Sequence, residues 1–338
     1  MNPKNWFEPL LVSSNQNPKG KYRRVLVVFS FLLAAVLLYL VLRGLDWAVF
    51  FTTLKQITYA YLPFLLILYC LSYLGRAIRW RLLLDGANRI ALREVFWANM
   101  AGYLGNILLP ARAGELVRAV YLAKRSENST MFVLATCLAE RMMDALALVI
   151  FGSVSLLSLH TTSDALQNAI KIIALVGILG LFALLLLLRF RKPISGIIAR
   201  QHILEEHQKE KLIQWIDQFT LSLQSLLRIR ILFFFGLLTI LIWFLDALSM
   251  VFLASILHVR LLFTQAIVLL ASLGLSSALP STPGYVGIYQ FVTVTVLEPF
   301  GIARESALTL ILVNQILGYL LVALLGGIGL WRVRSNRV

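Results

Sequence analysis

Long apolar stretches alternate with short charged ones along this chain. Six of the apolar stretches approach or exceed the roughly 20 helical residues needed to cross a hydrocarbon core. They lie near residues 25–42, 59–78, 131–158, 171–188, 231–256 and 307–331. The pattern predicts an all-α integral membrane protein with about six transmembrane helices. Two further apolar runs, 96–109 and 271–279, are about half a membrane thickness long. Each ends in Leu-Pro (Leu109-Pro110 and Leu279-Pro280), and a glycine follows four residues after the proline (Gly114 and Gly284).

These breaks share one spacing. Ala101/Ala271, Leu109/Leu279, Pro110/Pro280 and Gly114/Gly284 are each 170 residues apart, and the same offset lays 61–83 over 231–253 and 131–158 over 301–328. We read a first repeat at 59–158 and a second at 231–331. An odd number of crossings separates the copies, so they are expected to be inverted, with the two breaks as re-entrant helical hairpins. Interrupted helices at membrane depth need protein or a wet cavity to cover the freed backbone, and inverted repeats with such helices are a transporter signature. The alternative is a pair of loops with interfacial helices.

The remaining segments are polar or amphipathic. Residues 1–24, with Pro3, Pro9, Pro18 and Gly20, read as a cytoplasmic tail, and 334–338 as a second one. Between them, 25–333 form the membrane domain, interrupted by a cytoplasmic segment at 189–230. Within that segment Leu212, Trp215, Ile216, Phe219, Leu223, Leu226 and Leu227 recur at helical spacing opposite Glu205, Glu206, Lys209, Glu210, Lys211 and Asp217. Such a helix lies on a membrane surface, packs beneath a bundle or receives a partner.

Composition sharpens the class: 59% of residues are hydrophobic and 14% charged, far from the quarter charged of a soluble domain. The net charge of +15 raises nucleic acid as a partner, but the cations lie between apolar spans instead of forming one basic groove. Topology accounts for them, because Lys and Arg resist translocation. With a cytoplasmic N-terminus, 25 of the 31 Lys and Arg fall on one side, in the tails, 76–125 and 189–230. Arg43, Lys55, Lys171, Arg260 and Arg304 fall on the other, and Arg141 within a span. Both termini are thus expected in the cytoplasm. Cys70 and Cys137 both fall in spans and make no disulfide framework.

Polar residues within apolar surroundings are the candidates for function, since a charge at depth costs at least about 2.5 kcal/mol on insertion scales. Glu140 and Asp144 share one helix face, and Arg141 stands where it can neutralise either. Their role is substrate or proton handling, or a structural ion pair. Arg112, Glu115 and Arg118 follow the first proline on one helical face. A half-helix starting near Ala113 would offer free N–H groups, and with Arg112 and Arg118 it could hold a phosphate oxygen. The other reading makes these cations plain cytoplasmic charges. The second break offers hydroxyls and an amide instead: Ser276, Ser277, Ser281, Thr282, Tyr285, Tyr289 and Gln290. Asp246 and the Asn314-Gln315 pair read as interhelical hydrogen-bonding groups.

The stretches Asn106-x-x-Leu-Pro110-x-Arg112-x-Gly114-Glu115-x-x-Arg118 and Leu279-Pro280-x-Thr282-Pro283-Gly284-x-x-Gly287-x-x-Gln290 resemble the two motifs of the lysylphosphatidylglycerol synthase transmembrane region family, also called flippase-like domain proteins. The likeness spans about residues 25–333. It implies a bacterial or archaeal inner-membrane domain that translocates a phospholipid, an aminoacylated lipid or a polyprenyl-linked sugar. Longer members add a soluble aminoacyl-transferase domain, absent from this sequence, so lysyl transfer is not among the expectations.

The reading is a lipid flippase or transporter, not an enzyme, whose partners are membrane lipids with an anionic or phosphate-bearing head group. The sequence has no Gly-rich Lys-Ser/Thr nucleotide loop, and its four histidines (His160, His202, His207 and His258) are dispersed; no cofactor, metal ligand set or catalytic constellation is expected. Two other classes stay open: an accessory subunit working with envelope biosynthesis enzymes, and a lipid-modifying membrane enzyme using Glu115, Glu140 or Asp144.

Overall fold

A computed structural model describes residues 31–55, 57–84, 90–109, 113–158, 179, 206–277 and 282–335. The expected tail at 1–24, the span at 171–188 apart from Leu179, Pro110, Arg112, Pro280 and Ser281 lie outside them. The described residues are all helical or in turns, with no strand.

Among the described residues eleven α-helices follow one another: α1 Phe31–Leu42, α2 Trp47–Lys55, α3 Leu62–Leu84, α4 Leu92–Leu108, α5 Gly114–Ala123, α6 Thr130–Ser158, α7 Glu206–Gln224, α8 Ile229–Ile256, α9 Phe263–Ser276, α10 Ile288–Leu297 and α11 Arg304–Ser335. Among the described residues three helical stretches are long and apolar enough to cross a membrane: Tyr59–Leu84, Ile229–Ile256 and Arg304–Arg332. A fourth is obtained if α1 and α2, bent by 90° at their junction, count together. Helix α6 spans 29 residues but carries Glu140, Arg141 and Asp144 near its middle.

The chain runs twice through the order long, medium, short, long: α3–α6 and α8–α11. The two runs exchange partners, because α8 packs on α3, α9 on α6 and α11 on α4. Named contacts give the directions. Phe64 meets Phe252 with ring centroids 4.9 Å apart, Ser72 donates to Asp246 at 2.5 Å, and Arg79 donates to Thr239 at 3.2 Å. Rising numbers on α3 thus meet falling numbers on α8, and the two helices are antiparallel.

Small residues set the close approaches. The space beside Gly152 is filled by Ala271 and that beside Gly274 by Leu148, while Gly326 faces Met100 and Leu104, and Gly329 faces Trp97. Where lipid is the solvent, such close packing takes over much of what hydrophobic burial does in water. One apolar core gathers α8–α11 with Val41, Leu45, Phe50 and Leu65; a second gathers α3–α6 with Phe219 and Leu223 of α7, Leu226 of the turn that follows it and Phe235 of α8. The packing face of α7 is therefore occupied, while Leu212, Trp215 and Leu221 stay exposed.

One boundary is corrected. The expected span 59–78 ends too early, because α3 continues to Leu84 with Arg79, Trp80, Leu83 and Leu84 all buried. Arg76 and Arg79 are consequently interior residues and not loop charges.

Candidate functional site

The first break is built by sequence chemistry. Leu109 leaves the helix with φ −110° and ψ 143°, the extended conformation that a following proline imposes by steric clash with the αR form. Helix α5 restarts at Gly114, whose N–H donates to Asn106 Oδ1 at 3.0 Å. A Cβ at Gly114 would collide with the Gly102 carbonyl and the Asn106 backbone, so only glycine lets α4 and α5 lie this close. That contact aims Glu115 and Arg118 of α5 at α6.

There they enter an ion-pair network. Arg79 of α3 donates to both oxygens of Asp144, at 2.6 and 2.9 Å, and to Glu140 at 3.1 Å. Arg118 donates to the other Glu140 oxygen at 2.9 Å, to Asn99 Oδ1 at 2.9 Å and to Cys137 Sγ at 3.0 Å, and its guanidinium lies 4.5 Å from the Trp80 ring centroid. Glu115 pairs with Arg118 at 2.8 Å and with Arg141 at 2.9 Å. Arg76 pairs with Asp246 of α8, which also accepts from Ser72. Among the described residues the network holds four arginines and four carboxylates, so its charges balance.

Burial is uneven across it. The side chains of Arg79 and Arg118 are 0% and 1% exposed, whereas Arg141 is 29% and Glu115 17% exposed. The Glu115–Arg141 pair therefore forms the most exposed edge of the cluster, the Arg76–Asp246 pair being 15% and 17% exposed. A sealed bidentate pair keeps its geometry, because separating the partners would leave desolvated charge. An edge pair in contact with solvent exchanges partners far more cheaply.

Two expectations change. Arg141 does not neutralise Glu140 or Asp144: it pairs with Glu115, while Arg79 and Arg118 serve the two acids. The reason is competition from other helices, since Arg79 of α3 takes both oxygens of Asp144, Arg79 and Arg118 of α5 share Glu140, and Glu115 of α5 takes Arg141. Arg118, expected to hold a phosphate, already has Asn99, Glu115, Glu140 and Cys137 as partners. Arg79, Arg76 and Asn99 escaped the sequence reading. The signal present was Arg76-x-x-Arg79 placed one turn apart at the end of an apolar run.

The second break is neutral. Gly284 and Gly287 take φ of 68° and 89°, and Tyr285 between them takes 57°, a left-handed conformation uncommon for a bulky residue. Its ring stacks on Tyr289 at 4.8 Å, with planes 9° apart. Thr282 donates to the Val286 carbonyl at 2.7 Å, and Gln290 accepts from the Gly287 N–H at 2.7 Å. Gln290 also donates to Gln315, and Gln315 and Tyr319 both donate to the Gly284 carbonyl. Ser276 and Ser277 donate to the carbonyls of Leu273 and Gly274 in the preceding turn. The Pro283–Tyr285 turn packs on α4, which brings the second break against the first hairpin.

A profile of the lysylphosphatidylglycerol synthase TM region matches residues 27–326. The UPF0104 membrane protein PH1989 of Pyrococcus horikoshii is 29% identical over 88% of this chain and 96% of its own length. The UPF0104 membrane protein MJ1078 of Methanocaldococcus jannaschii is 26% identical over 68% of this chain and 94% of its own. Glycosyltransferase AglD of Haloferax volcanii is 26% identical over 79% of this chain but only 48% of its own length. No solved structure matches the chain significantly.

Proposed function

Because the chain belongs to the lysylphosphatidylglycerol synthase TM region family, we propose that it moves a lipid with a phosphate-bearing head group between membrane leaflets, without a catalytic step. The observation that carries this reading is the largely buried ion-pair network with its most exposed pair, Glu115–Arg141. Charges at such depth normally face a bundle interior or a wet path, where they handle ions or polar substrates. In the proposed cycle a phosphate oxygen displaces the Glu115 carboxylate from Arg141, while the sealed Arg79–Asp144 and Arg118–Glu140 pairs hold the helices in place.

In this reading the membrane layout is six spans with two re-entrant hairpins in an inverted repeat. Three observations support it. The two runs share an order of helices, they exchange partners, and the first helix of each lies antiparallel to its counterpart. Arg76 and Asp246 are 170 residues apart, the offset that relates the two Pro-Gly motifs. The pair thus joins equivalent positions where α3 crosses α8. Moving Arg76, Arg79 and Arg118 from the cytoplasmic count to the interior leaves the positive-inside bias strong, so both termini stay assigned to the cytoplasm.

The test is leaflet exchange in proteoliposomes of a fluorescent phosphatidylglycerol and of a fluorescent polyprenyl-phosphate lipid. Wild-type protein is expected to accelerate exchange of at least one of them. Glu115→Ala and Arg112→Ala are expected to abolish exchange while leaving the protein folded and inserted. Full exchange by both variants would remove the head-group role.

A second reading has one observation behind it, the relative named as a glycosyltransferase. In it the chain is a membrane component of glycolipid assembly that passes lipid to an enzyme without moving it across the bilayer. Loss of glycolipid product on deletion, with no exchange by the purified protein, would favour it.

A further inference from the structure

An apolar groove of about 560 Å³ runs between α6 and α8, away from the most exposed edge of the ion network and lined by Met143, Ile150, Val154, Phe235, Thr239 and Ile240 among others. Ile150, Val154 and Ile240 are 58%, 63% and 57% exposed on helices of membrane-spanning length. Its volume is that of a site for one organic ligand, for which about 300–1,000 Å³ is usual.

Three features show that more than hydrocarbon packing is at stake. Phe235 and Thr239 form the wall towards Arg79, whose guanidinium lies 5.3 Å from the Phe235 ring centroid and 3.2 Å from Thr239 Oγ1. Arg79 is 0% exposed, and its Nε finds no hydrogen-bond acceptor. Ser153, which also lines the groove, has a buried hydroxyl without a partner. Unsatisfied buried donors of this kind are rare and call for an acceptor. Gly236 leaves the groove open on the α8 side, since a Cβ there would meet no atom within 4 Å.

We propose that this groove is an acyl-chain site for a membrane phospholipid, whose tail lies between α6 and α8 while one ester or phosphate oxygen takes the hydrogen bond offered by Ser153 and a different oxygen, once Phe235 turns aside, takes that offered by Arg79. Its role rests on the lipid-transport reading, for which it supplies a lateral place of entry from the bilayer. Occupancy of the groove does not depend on that role. An apolar lining with a few separated donors suits an amphiphile better than a free anion, which would gain nothing from the hydrocarbon face.

The experiment uses the full chain in vesicles containing phosphatidylglycerol with a photoactivatable diazirine on one acyl chain. Crosslinks are mapped by mass spectrometry, and leaflet exchange is read in the same vesicles. Labelling of 143–154 and 232–240 is expected to exceed that of the lipid-facing residues Ile316, Leu320 and Leu324 of α11 several-fold. Gly236→Trp, which fills the groove from a position with free space, is expected to remove the excess; Gly236→Leu, a milder filling, is expected to reduce it. Uniform labelling of groove and α11 would mean ordinary boundary lipid and overturn the site, as would labelling that ignores both fillings. So would rapid disulfide formation between Ile240→Cys and cysteines scanned across 171–188 in a chain lacking Cys70 and Cys137, since the groove would then hold the protein's own segment. Groove labelling without any exchange would leave the site standing and remove the transport reading, whereas exchange with no groove labelling would do the reverse.

Discussion

Arg79 is fully buried, with two carboxylates within hydrogen-bonding distance, and its energetics follow from that placement. Truncating one member of a buried pair leaves the other desolvated and uncompensated, at a cost of about 3–5 kcal/mol. Arg79→Ala is therefore expected to lower Tm markedly in detergent, because Asp144 loses both hydrogen bonds and Glu140 keeps only Arg118. Replacing the pair together, Arg79→Met with Asp144→Leu, is expected to recover most of the loss, since an apolar pair of similar size carries no desolvation penalty. Thermal unfolding of the two variants beside wild type decides the point; equal loss in both would mean the network is held by packing and not by charge. Glu115, Arg118, Glu140 and Asp144 were legible from sequence because charge in an apolar run has few explanations. Arg79 was not, because it stands at the end of its run, where an interior cation and a loop cation look alike. Only the three-dimensional position of α6 tells them apart.

At the level of the element, the two breaks were legible for a local reason and their stitching was not. Proline restricts the residue before it, so Leu109 had to leave the helix wherever the chain went next. The close approach of α4 and α5 follows from glycine at 114. Gly114→Ala is expected to destroy the hairpin, as the new methyl would meet backbone atoms that cannot yield. Gly327→Ala, beside which nothing lies within 4 Å, is expected to leave the fold intact. Comparing the yields of monodisperse protein from the two variants checks this. The second break depends on long-range partners: Gln315 and Tyr319 of α11 hold the Gly284 carbonyl, and Ala34 of α1 closes on Gly287. No local pattern announces such contacts. The left-handed Tyr285 is a tertiary outcome of the same kind, since nothing about tyrosine favours φ above zero. Strain of this sort gathers at functional sites, and here it holds the stacked Tyr285–Tyr289 pair in the turn that packs on α4.

For the whole molecule, the decisive relation is the antiparallel crossing of α3 and α8. Helices equivalent under a two-fold axis run antiparallel when that axis is perpendicular to them, and for two membrane spans the axis then lies in the bilayer plane. The sequence carried the proposed inverted relation only as a 170-residue offset, and the exchange of partners between the runs could not be read from it. The crossing puts the start of α3 beside the end of α8, as the contacts of Tyr61 and Phe64 with Phe252 record. The start of α8 must then emerge on the other face. Tyr59 and Ile229 mark the two starts, 66% and 79% exposed. In a chain with Cys70→Ser and Cys137→Ser, a cysteine at Ile229 is expected to react with a membrane-impermeant maleimide only from the cytoplasmic face, and one at Tyr59 only from the opposite face. Reversal of both would keep the inverted relation and overturn the assignment of the termini. Labelling of both from one face would place the starts of α3 and α8 together. Antiparallel helices that each cross the bilayer cannot do that, so such a result would take away the inverted repeat and the transport cycle built on it.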